Sequence, residues 1–489
     1  MKNFTIDLHC HPAQRPYGRS FSTDQPGTND ENPKKRTSMW FYDPPKGPDR
    51  LLNRVTGLAK FSQSNFAALS YGNVNCICAA LYPIERDFFR MKTGTGAFTD
   101  FMANIASSLG RPRIDYLQNI TDYFKDLEAE YDFYKQLDNV EIKLKEGRKK
   151  YVLVKNFQHL ESLMLSADDK IETVFVIITI EGMHVLNTGL DGVADETTVL
   201  ANVDKLKNWE HRPFFVTFAH HFYNELCGHA ETLVGFPQDL LTRQEHGMTY
   251  GFQDLGWKVM KRLLDNSDGK RIHVDIKHMN YRSRQEYFSW LKANHAEEYQ
   301  RKEIPIIVSH GACNGKISFS NPSPTPGLEM TASRMYDAEI NFYDEEIIEI
   351  ARSGGIIGLQ LDERRIASKQ FKRSLRLELA SSTRRKHSNS KMVWNNIEHI
   401  VCLLDKHDMF AWDCIAIGSD FDGLVDPINM FWTAEDMDDL MQYIERHAHN
   451  FLSNTEVPLK NAFNKITALE VVDRIFHYNA YEFFRKYFR

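Results

Sequence analysis

The 489-residue chain lacks any run approaching the roughly 20 apolar residues that a membrane span needs. Its N-terminus also lacks a charged-then-apolar leader pattern, and the first strand-like run starts almost at Met1, so no signal peptide is expected. Charge of one sign is missing too. Lys plus Arg number 60 against 66 Asp plus Glu, a net charge of -6, which gives no electrostatic case for nucleic acid or an anionic membrane as partner. Cysteine is scarce: there are seven (Cys10, Cys76, Cys78, Cys227, Cys313, Cys402, Cys414), irregularly spaced and without a CxxC pair. That excludes a disulfide scaffold and a zinc ribbon, and reads as reduced thiols in a cytoplasmic protein. Cys76 and Cys78, inside the apolar run "NVNCICAALYPI", read as core residues. Internal repeats and low-complexity segments are absent as well, which leaves a globular protein acting on a small molecule.

What the chain does have is a recurring alternation of short β-branched runs and amphipathic helical stretches. Eight runs read as strands: 4–9, 74–82, 173–182, 214–221, 271–278, 304–311, 354–361 and 414–420. Several are apolar throughout, as strands buried on both faces must be, so the sheet is expected to be parallel and covered by helices. Helical periodicity fills intervening stretches at 254–266, 281–295, 343–353 and 394–407. Eight strands alternating with helices predict an α/β fold of the (β/α)8 TIM-barrel type, one domain over 1–489, with a two-domain doubly wound sheet as the alternative. Three stretches exceed a minimal barrel. Residues 13–50 read as a long Pro- and Gly-rich loop, 83–172 as helices plus a hairpin near "VEIKLKEGRKKYVLV", and 362–391 as a basic insertion. The first and third are read as lids over the active face, or, for the basic one, as a solvated helix.

The chemistry begins in "DLHCH". On a strand, residues two apart share a face, so His9 and His11 project together while Cys10 points away. A lone HxH is a weak sign of chelation. Its weight comes from company: Glu181 closes "VFVIITIE", His220 and His221 close "FFVTFAHH", His278 closes "IHVDIKH", His310 closes "IPIIVSH" and Asp420 closes "CIAIGSD". Barrels assemble their active sites at the C-terminal ends of their strands, and imidazole with carboxylate suits zinc-like ions. Lys277, beside His278, is expected to face away and Asp422 to shape its loop, while His184 reads equally as a partner behind a ligand and as a packing residue.

The motifs "IEGMH", "VDIKHMN", "VSHG" and "IGSDFDG" follow in order the signatures of the membrane (renal) dipeptidase family of the amidohydrolase superfamily, which this chain resembles from residue 5 to about 484. The resemblance implies two Zn2+ or other divalent ions bridged by Glu181, one held by His9 and His11 with Asp420, the other by His278 and His310. It implies hydrolysis of a small peptide or amide bond by a metal-bridging hydroxide, with Asp420 moving the proton and His220 steadying the oxyanion. His220, His221 and Asn224 would contact the substrate, and a homodimer is expected. The chain departs from the family pattern twice. His11 stands where the family has aspartate, and Ile340, before Asn341, stands where the family has the arginine that receives a substrate carboxylate. Arg334, Arg364 and Arg365 are the candidate replacements. These departures keep open another hydrolase of the superfamily (deacylase, lactonase or phosphoesterase), and a non-catalytic metal-binding protein is the third reading.

Overall fold

The computed structural model describes residues 4–57, 59–90, 108–168, 170–233, 244–376, 381–454 and 459–489. Ten strands form one sheet: β1 (Thr5–Cys10), β2 (Val74–Leu81), β3 (Ile142–Leu144), β4 (Gly147–Val154), β5 (Ile171–Glu181), β6 (Phe215–Thr217), β7 (His273–Asp275), β8 (Ile307–Gly311), β9 (Ile356–Leu359) and β10 (Ile415–Ile417). Eight of them run parallel in the order β2-β1-β10-β9-β8-β7-β6-β5, and β2 pairs back onto β5 to close a (β/α)8 barrel. These are the eight strands that the β-branched runs predict. β5 is buried over nine consecutive residues, as a strand covered on both faces should be.

The hairpin expected near residue 145 is β3–β4. β5 is long enough to serve two neighbours on one edge: Ile171–Ile177 carries β4, and Ile180–Glu181 carries β6. The hairpin is thus a flange at the N-terminal end of the barrel. That end is covered by the last helix, Asn479–Tyr487, whose Phe483, Phe484 and Tyr487 share a hydrophobic cluster with Phe214, Phe215, Ile307 and Ile356.

One expectation is corrected, and the solvated-helix reading of the basic stretch is met in part. Residues 13–50 are not a loose loop: they contain the helix Gln14–Ser20, and Trp40 is fully buried between Phe66 and Tyr151. The long aromatic anchors convert what composition reads as linker into core. Part of the basic insertion, from Ser382, is the first half of a 25-residue helix, Ser382–Lys406, whose apolar second half packs in the core. The earlier stretch 83–172 holds helices at Arg111–Gln118, Tyr123–Lys135 and Phe157–Leu165, while 91–107 lies outside the described residues.

Candidate metal centre

Three of the strands end earlier than their apolar runs. β6, β7 and β10 stop at Thr217, Asp275 and Ile417, so His220, His221, His278 and Asp420 sit on the turns that follow. The cause is visible inside the barrel, where two buried carboxylates capture the backbone at these strand ends. Asp275 accepts from Lys277 N (3.0 Å), Ser309 N (3.1 Å), Ser309 Oγ (2.6 Å) and Thr217 Oγ1 (2.7 Å). Asp7 accepts from Ser419 N (2.8 Å), Ser419 Oγ (2.5 Å) and His9 N (3.2 Å). Burial raises the Asp7 carboxyl to about 6. Beyond these braces the chain reverses through left-handed residues, His278 (φ 68°) and Asp420 (φ 62°), conformations that end a strand ladder.

The turns bring the candidate residues together. Glu181 is the meeting point: its carboxylate lies 3.5 Å from His9 Nε2, 3.2 Å from His11 Nε2, 3.4 Å from His220 Nε2, 3.3 Å from His278 Nε2 and 3.6 Å from His310 Nε2. Asp420 lies 3.8, 3.6 and 3.8 Å from His9, His11 and His310. Donor atoms fall into three sets within 4.8 Å of one another: His9, His11 and Asp420; His9, Glu181 and His310; and His220, His221 and His278. His310 therefore groups with His9 and Glu181, and His278 with His220 and His221. Asn224 is buried behind this cluster and uses its side chain within its own loop, donating to Phe218 O and accepting from Leu226 N and Cys227 N.

Around the carboxylates the imidazoles split. Burial disfavours charge on His11, His220, His278 and His310, but Asp420 and Glu181 hold the His11 proton up to about 10, and Glu85 and Glu181 hold that of His220 up to about 9. His278 and His310, which face other cations, are driven below the usual histidine range by burial first and then by their neighbours.

The donors fit a divalent metal on two grounds. Both ring nitrogens of His9, His11 and His278 are buried and have no hydrogen-bond partner, an arrangement that costs about 1–3 kcal/mol per unsatisfied group unless something else binds them. The separations of 3.2–3.8 Å also match the roughly 3.4 Å expected between two ligands about 2.1 Å from one tetrahedral ion.

Neighbouring groups orient three rings. His310 Nδ1 bonds Ser309 Oγ (3.0 Å), which donates to Asp275. His221 Nδ1 bonds Thr232 Oγ1 (2.6 Å). His220 Nδ1 donates to Glu85 (2.9 and 3.0 Å). Glu85 has no motif around it and escapes a reading of the sequence. It sits in the short segment after β2, buried, and also accepts from Tyr82 OH (2.6 Å) and His221 N (3.1 Å). Its charge is held well below the ordinary carboxylate range: burial opposes ionisation, but His220 and His184 overcome it. His184 lies behind the centre, its Nε2 donating to Pro83 O (2.7 Å). Gly182 makes room for it: with φ at +80°, an added Cβ would lie 2.4 Å from His184 Nδ1.

Lys277 is corrected. Period-two alternation fails because β7 ends at Asp275, and the ammonium is buried near Asp420 and Glu181, its pKa brought down to about 7 by burial and then by Arg365. Asp422 holds its loop: it accepts from Arg15 Nε (2.7 Å), Ser62 Oγ (3.1 Å), Gln63 N (2.9 Å) and Ser64 N (2.8 Å). Ile340 is buried. Of the three candidate arginines, Arg334 bonds Asn395 and Arg364 is tied to Asp362, while Arg365 donates to the Thr232 carbonyl and feels Asp420.

No profile of a protein family matches this chain, and no curated protein matches it significantly. Solved structures do. The crystal structure of a metallo peptidase from Rhodobacter sphaeroides, liganded with a phosphinate mimic of the dipeptide L-Ala-D-Ala, superposes with a TM-score of 0.51 at 13% identity, covering 99% of both chains. The two chains share a fold. The dipeptidase AC, a metallo peptidase, is similar at a TM-score of 0.49 and 12% identity over 90% of this chain and 94% of that one. The probable dipeptidase PvdM from Pseudomonas aeruginosa gives 0.48 and 13% over 87% and 88%.

Proposed function

We propose that this chain is a metal-dependent hydrolase of small peptide or amide bonds, with a centre that holds two divalent ions. The observation that carries this reading is the convergence of five buried imidazoles on Glu181, with Asp420 beside them, at the C-terminal end of the barrel. Glu181 would be shared between the ions. His9, His11, His278, His310 and Asp420 would complete the donor set. Bound there, the metals would supply Lewis acidity and hydroxide near neutral pH. The remaining work falls to the chain itself. His220, its Nδ1–H given to Glu85, turns Nε2 toward the cluster and donates to the oxygen that gains charge as the carbonyl is attacked. Asp420 accepts the proton of the attacking water and returns it to the leaving nitrogen. Burial of the five imidazoles and Glu181 shields the centre from bulk water, while Asp420 stays partly exposed.

The peptidase that shares the fold binds a dipeptide mimic ending in a D-residue, and such dipeptides are the first substrates to try. Buried Ile340, where the resembled family carries its carboxylate-binding arginine, favours a second reading in which the same centre serves a deacylase, lactonase or phosphoesterase. The test is metal content followed by a panel of dipeptides, including D-residue C-termini, with Asp420→Asn as control. Turnover by the zinc-loaded protein, reduced about 10²–10⁴-fold in the variant, is expected. Protein carrying two equivalents of zinc that cleaves no dipeptide but turns over an ester or lactone would establish the second reading. Protein that retains no metal would overturn both.

A further inference from the structure

Two cations stand at the C-terminal end of the barrel without counter-ions. Lys277 directly precedes His278, and Arg365 lies in the segment that follows β9. Lys277 is 2% exposed, and its ammonium meets neither a hydrogen-bond acceptor nor an ion-pair partner among the described residues, while keeping a trace of open surface. Arg365 is partly exposed and donates to the Thr232 carbonyl, but it too has no ion-pair partner among the described residues.

The carboxylates around them are committed elsewhere. Asp362 is gripped by Arg364 (2.7 and 3.0 Å), and Asp275 accepts from Thr217, Ser309 and the Lys277 backbone. Glu181 and Asp420 face the imidazoles. A charged side chain withdrawn from water without a partner costs free energy, and a ligand of opposite charge recovers it.

The fold places the two cations together. Asn341 Nδ2 donates to the carbonyls of Arg365 (2.7 Å) and Tyr336 (2.9 Å), which fixes the backbone that carries the guanidinium, and the Tyr336 ring lies 5.9 Å from the guanidinium carbon. Thr232, whose carbonyl takes Arg365, bonds His221 Nδ1 through its hydroxyl (2.6 Å), and Ala230 N donates to the His278 carbonyl (2.8 Å). Arg365 is thus tied to the stretch of chain that borders His221 and His278, beside Lys277. After burial, Arg365 is the largest influence on the Lys277 ammonium, and Asp420 acts on both.

We propose that Lys277 and Arg365 form a carboxylate receptor beside the metal centre, so that the substrate is an acid whose scissile bond lies close to a free carboxylate. The inference rests on the two-ion hydrolase reading above and sharpens it. Two divalent ions outweigh the charge of Glu181 and Asp420, and two further cations next to them favour an anion over a neutral ester or lactone. Guanidinium and ammonium both donate charge-assisted hydrogen bonds to carboxylate oxygens.

The test is calorimetric titration of the zinc-loaded full chain with a phosphinate mimic of L-Ala-D-Ala, as the free acid and as its C-terminal amide, a comparison that needs no turnover. The acid is expected to bind about 10- to 150-fold more tightly, the range for a hydrogen bond to a charged group. Arg365→Met and Lys277→Met should each reduce that ratio at least about threefold and together bring it near one, with zinc content retained. Arg365→Lys, which keeps the charge, should preserve most of it. Equal affinity of the unaltered chain for acid and amide, or a ratio unchanged in the double variant, would overturn the receptor. A chain that prefers the acid but cleaves no dipeptide would overturn the peptidase reading and leave the receptor standing, whereas dipeptide cleavage with equal affinity for acid and amide would do the reverse. Binding of neither form would overturn both.

Discussion

Glu85→Gln tests the centre at its least obvious member. The side chain keeps its size, so packing after β2 is preserved, but the carboxylate that takes His220 Nδ1–H, Tyr82 O–H and His221 N–H becomes a neutral amide. A hydrogen bond to a charged group contributes about 1.5–3 kcal/mol. At about 1.36 kcal/mol per tenfold, losing the charge-assisted bond to His220 corresponds to roughly 10- to 150-fold. Mutation of groups that orient metal-site histidines typically costs about 10–100-fold, so the two estimates agree. The expected result is a fall of that size in kcat/KM, expressed in kcat, with KM changed little because the bond matters most when charge develops on the substrate oxygen. Zinc retention by the same variant gives a readout independent of turnover. Tyr82→Phe is the control for simple loss of a hydrogen bond, since it removes the 2.6 Å contact and leaves the Glu85 charge in place. A Glu85→Gln protein with wild-type kcat/KM and wild-type zinc retention would refute the reasoning.

Three other perturbations follow from particular contacts. Gly182→Ala should destabilise by about 1–3 kcal/mol and lower metal content, because a Cβ at positive φ meets His184 Nδ1 at 2.4 Å; urea unfolding and metal analysis measure it. Arg15→Ala leaves the buried Asp422 without its 2.7 Å cationic partner and should cost about 3 kcal/mol, the low end for a broken buried pair since Asp422 keeps its Ser and backbone donors; an unchanged urea midpoint would count against it. His447, lowered to about 3 by burial and then by His387 and Lys391, binds its proton in the unfolded chain first, so it makes stability fall as pH drops from about 6.5 toward 3. His447→Gln should remove about 1.4 kcal/mol of the loss between pH 7.5 and 5.5.

The barrel was readable because its strands are buried on both faces, which writes a continuous β-branched run into the sequence wherever a strand lies. The limits of those strands were not readable. "RIHVDIKH" keeps its apolar alternation as far as Ile276, yet β7 stops at Asp275 because that carboxylate accepts from Ser309, Thr217 and the backbone of Lys277. The same capture, made across 34 and 58 positions of sequence and so invisible to periodicity, brought Lys277 near Asp420 and Glu181. Candidate ligands were legible as a set because six of them follow strand runs. Glu85 was not, since nothing in "LYPIE" marks a residue whose partners lie 135 and 136 positions away. Trp40 and Met39 escaped for a related reason: one or two anchors bury a segment whose average composition is that of a loop.

His11 and Glu85 belong to one argument about charge. The centre gathers five imidazoles on two carboxylates, Glu181 and Asp420, with His11 occupying a place that is aspartate in the dipeptidase pattern the chain resembles. A donor set with one fewer anion leaves bound cations less neutralised. Glu85, ionised and buried 2.9 Å from His220, places a negative charge just outside the donors, and Tyr82, which donates to Glu85, has its ring 5.9 Å from that of His11 and 4.7 Å from that of His220. If the outer carboxylate compensates for the inner imidazole, the two positions are coupled. His11→Asp should then soften the loss of zinc retention caused by Glu85→Gln, leaving the double variant better than the sum of the singles by about 0.5–3 kcal/mol, the range for residues in one network. Strict additivity of the two changes would show that Glu85 acts on the orientation of His220 alone and that the charge of the centre is balanced elsewhere.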